Sequence, residues 1–484
     1  MFQNNNIFNF LLNIYNYNIL IFYFFILFID KKFILINEDD LINYIFKYIN
    51  KCGVVSLKFT QWITCRLSLN FKSKYIKLFE NIYENCNIHD ITYSKYIFKK
   101  DLNINLFDMF DEKDFKIIAS GSIGQVYKAK YINKDEYVAL KIIHPNTSIQ
   151  TIYPKLIIKT LNFLFFKILK KLYIPCDFNT FFDSLENQLN LNNEYENLNF
   201  FYNKYLNNDY VIIPKPILSS KNILISSFED GIFYDDHDVS DYMKSQFVIL
   251  FVLFLRQSIL MDGLIHADLH RGNWKIRYNN NKDYKLIIYD VGYCIKEDIY
   301  IVRNFINSWE LGNSEELCKS FTDMIKNLKN EEKVEIKNLL KENIVNSLLL
   351  KPLTLSIIIP KVTKFFLDRN LLLSGNSINI FIILILIEDV LKKNGFVTDE
   401  NKNLDISQSS EMHYKVNHLN LITYCETNKC FIELSNYLKD SLRKNKCFNE
   451  LFPNIEILLN NNDKNFKFEN LDNNNNIISY DISI

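Results

Sequence analysis

Residues 265–275 read Ile265-His266-Ala267-Asp268-Leu269-His270-Arg271-Gly272-Asn273-Trp274-Lys275, and an apolar strand shortly after ends in Ile288-Tyr289-Asp290-Val291-Gly292. Asn273 follows Asp268 by five positions, with Gly272 between them. An Asp, an Asn five residues later and a strand-end Asp-x-Gly are the ingredients of a phosphoryl-transfer site. One carboxylate must orient the nucleophile or accept its proton. A neutral amide oxygen and a second carboxylate suit Mg²⁺, a hard cation that takes oxygen ligands. Gly292 is expected to free the backbone so that Asp290 points inward. Two other readings fit these residues taken alone. One is a solvated loop in which Asp and Asn cap turns. The other is a metal triad, His266-x-Asp268-x-His270, which leaves Asn273 and Asp290 without a role.

A second set of residues lies upstream. Residues 117–143 alternate with a period of two and contain a polar turn at Asn133-Lys134-Asp135, which reads as a β-hairpin. It is preceded by Ile118-Ala119-Ser120-Gly121-Ser122-Ile123-Gly124-Gln125-Val126. Backbone N–H groups in the turn at Gly121 and Gly124 could meet phosphates. Tyr137-Val138-Ala139-Leu140-Lys141 then fits the strand pattern whose Lys pairs with the α/β-phosphates of a nucleotide. Such a Lys needs a carboxylate to aim it. Glu194 is the best candidate and Glu196 the second. Each piece alone is weak, since a strand Lys is usually a solvated face. The order is specific: glycine turn, strand Lys, helix Glu, Asp-x4-Asn, Asp-x-Gly.

The chain has 484 residues, with 56 Lys+Arg balanced by 56 Asp+Glu. That balance excludes a polybasic nucleic-acid binder and an acidic solvating chain. Hydrophobic residues make up 48%, ample for a core. None of the nine Cys forms a CxxC pair, so neither a zinc ribbon nor a thioredoxin-type site is indicated. Asn runs such as 473–476 reflect compositional drift and are discounted. Glycine is the opposite case. There are only ten, far below the usual share of about 7%. Those that persist mark positions where the backbone needs them.

Residues 1–29 carry no charge, and Ile19–Ile29 is unbroken apolar sequence. Asn9, Asn13, Asn16 and Asn18 dilute the rest. The segment is therefore marginal beside the ~20 mostly apolar residues of a spanning helix. Residues 1–35 read as a targeting or membrane-anchor segment, or else as a buried helix. From 39 to 100 the apolar spacing is helical, as it is from 151 to 206. Val211–Pro214 and Ile223–Phe228 read as strands. From Asp241 onward helix dominates, broken by a polar loop and a short strand, Leu286–Tyr289. The apolar run 378–387 is too short to span and reads as a buried helix. Residues 457–484 form an Asn-rich tail, expected to be frayed.

The motifs together resemble the ABC1 family, also called UbiB or ADCK, of atypical kinase-like proteins, over roughly residues 50–400. The family's Lys-x-Gly-Gln helix corresponds to Lys58-Phe59-Thr60-Gln61, and the Trp62 that follows resembles the ADCK2-like branch. The nucleotide loop corresponds to Ala119, Ser120, Gly121, Ser122, Gly124 and Val126. The hinge corresponds to Ile223–Gly231, with Ser227 and Phe228 on the nucleotide. Asp268 takes the catalytic-loop position, and Asn273 and Asp290 the metal positions. Ile387-Glu388-Asp389 resembles a late helix of the family.

The resemblance implies an α+β, protein-kinase-like bilobal fold with ATP and Mg²⁺ as cofactors. Residues 36–110 would form a helical extension and 111–235 the sheet lobe with inserted helices. Residues 236–456 would form a helix-rich lobe carrying the catalytic and metal-binding loops. Lys58 and Gln61 would form a lid over the place where a protein substrate would lie. ATP hydrolysis or transfer to a small-molecule or lipid acceptor is then expected over broad protein phosphorylation. A role in coenzyme Q and mitochondrial lipid homeostasis is implied, with mitochondrial, membrane-associated localisation. The implied partners are a nucleotide and a lipid or membrane surface, with no nucleic acid.

The chain departs from the pattern in four places. The Lys-x-Gly-Gln glycine is Thr60. The acids of a Glu-x-Asp motif that face the lysine appear as Gln188-Leu189-Asn190, so Lys58 must use another acid or the lid is looser. Arg271 replaces a Pro, and Val291 replaces the Phe of Asp-Phe-Gly. Two rival functions remain open: a catalytically silent nucleotide-binding membrane scaffold, and a small-molecule kinase of the aminoglycoside or choline kinase type.

Overall fold

A computed structural model describes residues 6–28, 38–67, 88–147, 150–156, 178–269, 271–278, 284–325, 328–345, 355–393, 421–444, 467–471 and 477–481, apart from positions 235, 237, 238, 297, 311, 312 and 423. Among the described residues the largest sheet is small and antiparallel, and it stands beside a larger helical core. The sheet has five strands in the order β1-β2-β3-β6-β5. They are β1 (Lys116–Ser120), β2 (Gly124–Lys130), β3 (Tyr137–Ile143), β5 (Pro216–Ser219) and β6 (Ile223–Ser227). The short β4 (Val211–Ile212) belongs to a separate sheet.

The period of two in β3 sorts its side chains between two faces. Val138, Leu140 and Ile142 are buried against Ile97 and Phe98 of α4 (Ile91–Leu102) and against Phe110. Lys141 and Ile143 therefore project from the other face. There Ile143 packs with Leu224, with Val54, Val55 and Trp62 of α3 (Val54–Leu67), and with Phe181, Phe182 and Leu185 of α5 (Phe178–Gln188). Leu191 of α6 (Leu191–Tyr205) joins the same cluster. This alternation sends Lys141 toward α6.

The expected helix over 151–206 is broken. The break falls at 189–190, where Asn190 leaves the helical region (φ −125°, ψ 101°) and its side chain caps α6 by accepting from the amide of Asn192 at 3.3 Å. Residues 157–177 lie outside the described residues.

The second lobe is built around α7 (Asp241–Gln257). Eight of its residues from Phe247 to Leu255 are buried, Ile249 being partly so, and a helix that is apolar all round belongs inside a core. A fully buried Phe contributes about 1.5–3 kcal/mol, and Phe247, Phe251 and Phe254 lie there together. Packed round it are α8 (Ile299–Glu310), α9 (Ser314–Asp323), α10 (Asn330–Leu340), α11 (Leu355–Asp368), α12 (Gly375–Lys393) and α13 (Ile432–Lys444). The apolar run 378–387 falls within α12 and is buried, as its length suggested.

Two ribbons cross the surface of this core: β7 (Leu264–His266) with β10 (Cys294–Lys296), and β8 (Trp274–Tyr278) with β9 (Tyr284–Ile288), the latter pair extended by β4. The polar loop expected before β9 is thus partly strand. Trp274, whose ring packs against Phe251 with centroids 4.8 Å apart, anchors β8 to the core.

Ahead of the sheet lobe, α1 (Asn6–Phe28) lies against α2 (Glu38–Cys52). Tyr17 and Leu20 bury against Leu41, Ile45 and Ile49. Two of the asparagines that dilute the apolar run do specific work. Asn13 donates to the carbonyl of Cys52 at 3.0 Å and Asn16 to that of Lys51 at 3.4 Å, meeting carbonyls that the end of α2 leaves unpaired. Among the described residues no helix is long and apolar enough to cross a membrane. Near the other end, β11 (Lys467–Leu471) and β12 (Ile477–Asp481) pair as an antiparallel hairpin inside the tail expected to be frayed.

Candidate active site

Of the nucleotide-loop residues, Ala119 is exposed, Ser120, Gly121 and Val126 are half-buried, and Ser122 and Gly124 are buried. Ala119 pairs with Val126, and Val126 with Lys141 across the next strand, so the three lie in one row on one face. The turn between β1 and β2 holds Gly121 and Ser122. At Gly124 an added Cβ would lie 2.7 Å from the carbonyl oxygen of Ile142, so only glycine fits there. Of the backbone N–H groups in this turn, that of Gly121 is committed to the carbonyl of Gly124 at 3.0 Å. The amides of Ser122 and Ile123 have no acceptor among the described residues.

Lys141 lies between two acids. Its Nζ is 2.9 and 2.8 Å from the two carboxylate oxygens of Glu194 and 3.1 Å from Oδ1 of Asp290. Glu194 is buried in the first turn of α6, whereas Glu196, the other candidate, is exposed. Asp290 has φ +42°, a left-handed conformation uncommon for a non-glycine residue, of the kind that clusters at functional sites. The sequence had placed the backbone freedom at Gly292. Gly292 supplies space instead, since an added Cβ would come within 3.0 Å of Glu194 Oε2 and 3.1 Å of Asp290 Oδ1. Its amide donates to Asp290 Oδ1 at 3.3 Å.

Asn273 is brought beside Asp290 by the β8–β9 pairing: the amide of Tyr289 donates to the carbonyl of Asn273 at 2.8 Å. Its side-chain Nδ2 donates to the carbonyl of Asp268 at 2.7 Å, which leaves Oδ1 as an oxygen donor. His266 fastens the loop from behind. Its Nδ1 accepts from the amide of Asp268 at 3.2 Å, so Nε2 carries the proton and donates to the carbonyl of Tyr289 at 3.3 Å. Among the described residues no group of three His, Cys, Asp or Glu could hold a metal ion, and His270 lies outside them.

Lys58 reaches the same cleft from α3, with its Nζ 3.2 Å from Oδ2 of Asp268. The missing Glu-x-Asp acids are thus replaced by Asp268. Gln188 is turned back on its own helix, donating to Ser184, and Asn190 caps α6. Gln61, one turn along α3 from Lys58, is buried with Thr60. Trp62 holds the helix down through its contact with Phe181 at 5.3 Å. The hinge residues follow β6. Ser227 Oγ accepts from the amide of Lys215 at 2.8 Å, and the amide of Phe228 donates to the carbonyl of Tyr137 at 3.2 Å. Tyr289 and Arg277 tie Glu229 and Asp230 to the second lobe.

Two ammonium groups therefore face three carboxylates. Burial opposes the Lys141 cation, but Asp290 and Glu194 outweigh it and hold the ammonium above its ordinary value. Burial works against Asp290 too, yet Lys141 and Lys58 keep its carboxylate well below the usual range. Glu194 goes the other way. Burial, only partly offset by Lys141 and reinforced by the charge of Asp290, pushes it up to about 7. Lys58 stays above its ordinary value because Asp268 and Asp290 overcome the cost of burial. Glu194 is only 5% exposed, whereas Asp290 is 47% exposed. Asp290 is therefore the more accessible of the two acids that hold Lys141.

Residues 81–316 match the family model of the ABC1 atypical kinase-like domain. A probable serine/threonine-protein kinase of Dictyostelium discoideum, abkC, is 32% identical over 49% of this chain and 35% of its own length. A mitochondrial ABC1 family protein of Saccharomyces cerevisiae is 26% identical over 49% of this chain and 40% of its own. The probable protein kinase UbiB of Shewanella woodyi is 25% identical over 52% and 48%. The chain thus spans between a third and a half of the length of these relatives. A solved Mycobacterium tuberculosis protein in complex with erythromycin overlays with a TM-score of 0.42 at 19% identity, covering 63% of this chain and 80% of that one. With five antiparallel strands over a helix-rich lobe, residues 81–316 are similar to the ABC1 atypical kinase-like domain.

Proposed function

We propose that this domain binds ATP with Mg²⁺ in the cleft between the sheet and the helical lobe and catalyses phosphoryl transfer to water or a small hydroxyl acceptor. The observation that carries the reading is Lys141 held between buried Glu194 and half-exposed Asp290 at 2.8 and 3.1 Å, beside a loop with two uncommitted amides. The residues fit a magnesium–triphosphate. Asn273 offers a neutral oxygen and Asp290 a carboxylate, the hard donors that Mg²⁺ prefers. The bound ion would supply neutralisation of charge developing on the phosphates. Lys141 would hold phosphate oxygens, aimed by Glu194. The row Ala119–Val126 would form the floor under the nucleotide, Ser120, Gly121, Ser122 and Gly124 the turn at its phosphates, and Ser227 and Phe228 the edge at its base. Asp268 would orient the acceptor.

The Lys58–Asp268 pair favours hydrolysis or a small or lipid acceptor, since a protein side chain would have to displace α3. The same pair supports the second reading, a nucleotide-binding scaffold in which Asp268 is never released. Relatives named as mitochondrial support a mitochondrial location, and a link to coenzyme Q or lipid homeostasis rests on family resemblance. A lipid surface as partner is supported by the exposed apolar residues Ile7, Phe8, Leu11 and Phe22 on uncharged α1. ATP hydrolysis by the purified chain with Mg²⁺, with and without phospholipid and quinone-like headgroups, tests the proposal. Turnover lost in Asp290→Asn supports an enzyme. Nucleotide binding without turnover in any condition supports the scaffold.

A further inference from the structure

The turn between β1 and β2, assigned above to the phosphates, is gripped by one residue. His144 leaves β3 just before Pro145, which biases its backbone to an extended conformation. Its amide donates to the carbonyl of Ile123 at 2.9 Å, and its imidazole Nε2 lies 2.9 Å from the carbonyl oxygen of Gly121. With Gly124 held by the amide of Gly121, three of the four carbonyls in residues 121–124 are committed to the protein. The amides of Ser122 and Ile123 remain the turn's unspent donors among the described residues.

The imidazole is itself wired to the interior of the sheet lobe. A carbonyl oxygen can only accept, so His144 Nε2 carries a proton and, in a neutral ring, Nδ1 is bare. The atom facing it, 2.8 Å away, is Nδ1 of His89, which must therefore donate. His89 Nε2 is then bare and accepts from the Ser94 hydroxyl at 2.9 Å. Ser94 Oγ in turn accepts from Tyr127 at 2.7 Å, and Tyr127 from Gln125 Nε2 at 2.5 Å. Gln125 Oε1 closes the ring by accepting from the amide of His89 at 2.9 Å.

Every donor in this chain is fixed by the carbonyl of Gly121 at its end. Ser94, Gln125 and Tyr127 are fully buried, so a reversed bond would leave a donor or acceptor without water to replace it. The wiring needs both rings neutral. Burial lowers both, His89 to about 4, although the Asp90 carboxylate pulls His89 the other way. Tyr93 and Tyr127, the other titratable groups beside His89, pack against its ring edge-on.

We propose that His144, with its tautomer set by His89, is a positioning residue for the phosphate-binding turn. It draws the carbonyls of Gly121 and Ile123 back so that the amides of Ser122 and Ile123 are presented to the triphosphate. The proposal rests on the nucleotide reading above. It predicts a defect confined to the phosphate end of the ligand.

The test compares the affinity of the full chain for ATP with Mg²⁺ and for adenosine, by calorimetric titration of the wild type, His144→Ala, His144→Gln and His89→Ala. His144→Ala is expected to weaken ATP binding roughly five- to tenfold, the worth of about one hydrogen bond, with adenosine affinity unchanged. His144→Gln, whose side-chain N–H can reach Gly121, restores most of the loss, and His89→Ala falls between the two. Should His144→Ala fail to fold, the split between ATP and adenosine in His89→Ala and its absence in His144→Gln decide the matter. Equal losses for ATP and adenosine, or none, in a wild type that binds ATP would overturn the proposal and leave the nucleotide reading intact. A wild type that binds neither ligand would overturn both.

Discussion

Lys141 and Lys58 point into one cleft from two differently built regions. Lys141 belongs to the sheet lobe, and its partner Glu194 sits on a helix packed against the same sheet. The pair is 12% and 5% exposed. Lys58 comes from α3 in the helical extension, and its partner Asp268 sits on a loop of the other lobe. That pair is 16% and 27% exposed. The first contact joins parts of one rigid layer and is shut away from water. The second joins α3 to a loop of the other lobe, at a partly exposed carboxylate. In the proposed function the first pair is a fixed support and the second a detachable cover.

The largest effect is expected on the fixed support. Lys141→Met leaves buried Glu194 beside Asp290 with no cation between them, and breaking such a pair costs about 3–5 kcal/mol. Urea unfolding measures it. The comparison breaks if Lys58→Met costs as much. Next is Asp290→Asn, in which the fold persists and Mg²⁺-dependent ATP turnover falls on the order of 10²–10³-fold, as for removal of one preorganised charge in an active site. In that variant Glu194 loses the neighbour that helps raise it, so its carboxyl moves down from about 7 toward its ordinary range. Carboxyl titration by infrared or NMR spectroscopy reads this.

Lys58→Met should change stability by no more than about 1 kcal/mol, the scale of a partly exposed ion pair, while ATP turnover holds or rises because Asp268 is released. A fall in turnover with unchanged stability would make Lys58 part of the machinery and not its cover. The smallest effect concerns pH. Burial, helped by the neighbouring His144, pushes His89 in the folded chain down from its ordinary 6.5 to about 4. As pH falls through that window the unfolded chain takes up the proton first, so stability present above 6.5 is lost progressively toward pH 4. His89→Asn should flatten this part of the melting-temperature profile relative to the wild type.

Much of this site is visible in the sequence because its chemistry is local. Asp268, Asn273 and Asp290 lie on one loop and one strand end, so spacing alone groups them. Lys141 is betrayed by strand alternation, which sets it opposite Leu140 and Ile142. Glu194 and Glu196 differ by two positions on a helix, and only the packing of α6 shows which one is buried. The partner of Lys58 was not legible. Sequence recorded that the usual acids had become Gln188 and Asn190, but not that these amides would be taken up by helix bonding and capping, or that Asp268 would stand in. The His89–His144 pair was missed altogether. The two are 55 positions apart in no motif, and only the folding of α4 onto the sheet makes them neighbours. The short strand β8 was hidden by its polar residues Lys275 and Arg277, whose pairing with β9 overrides their composition.

The account's central claim is that a magnesium–triphosphate bridges Lys141 and Asp290, and ATP titration with and without Mg²⁺ tests it most directly in the wild type and in Asp290→Asn. The account predicts that the wild type binds ATP more tightly when Mg²⁺ is present and that folded Asp290→Asn loses this enhancement. An absence of ATP binding in the wild type, or an undiminished Mg²⁺ effect in the variant, would contradict it.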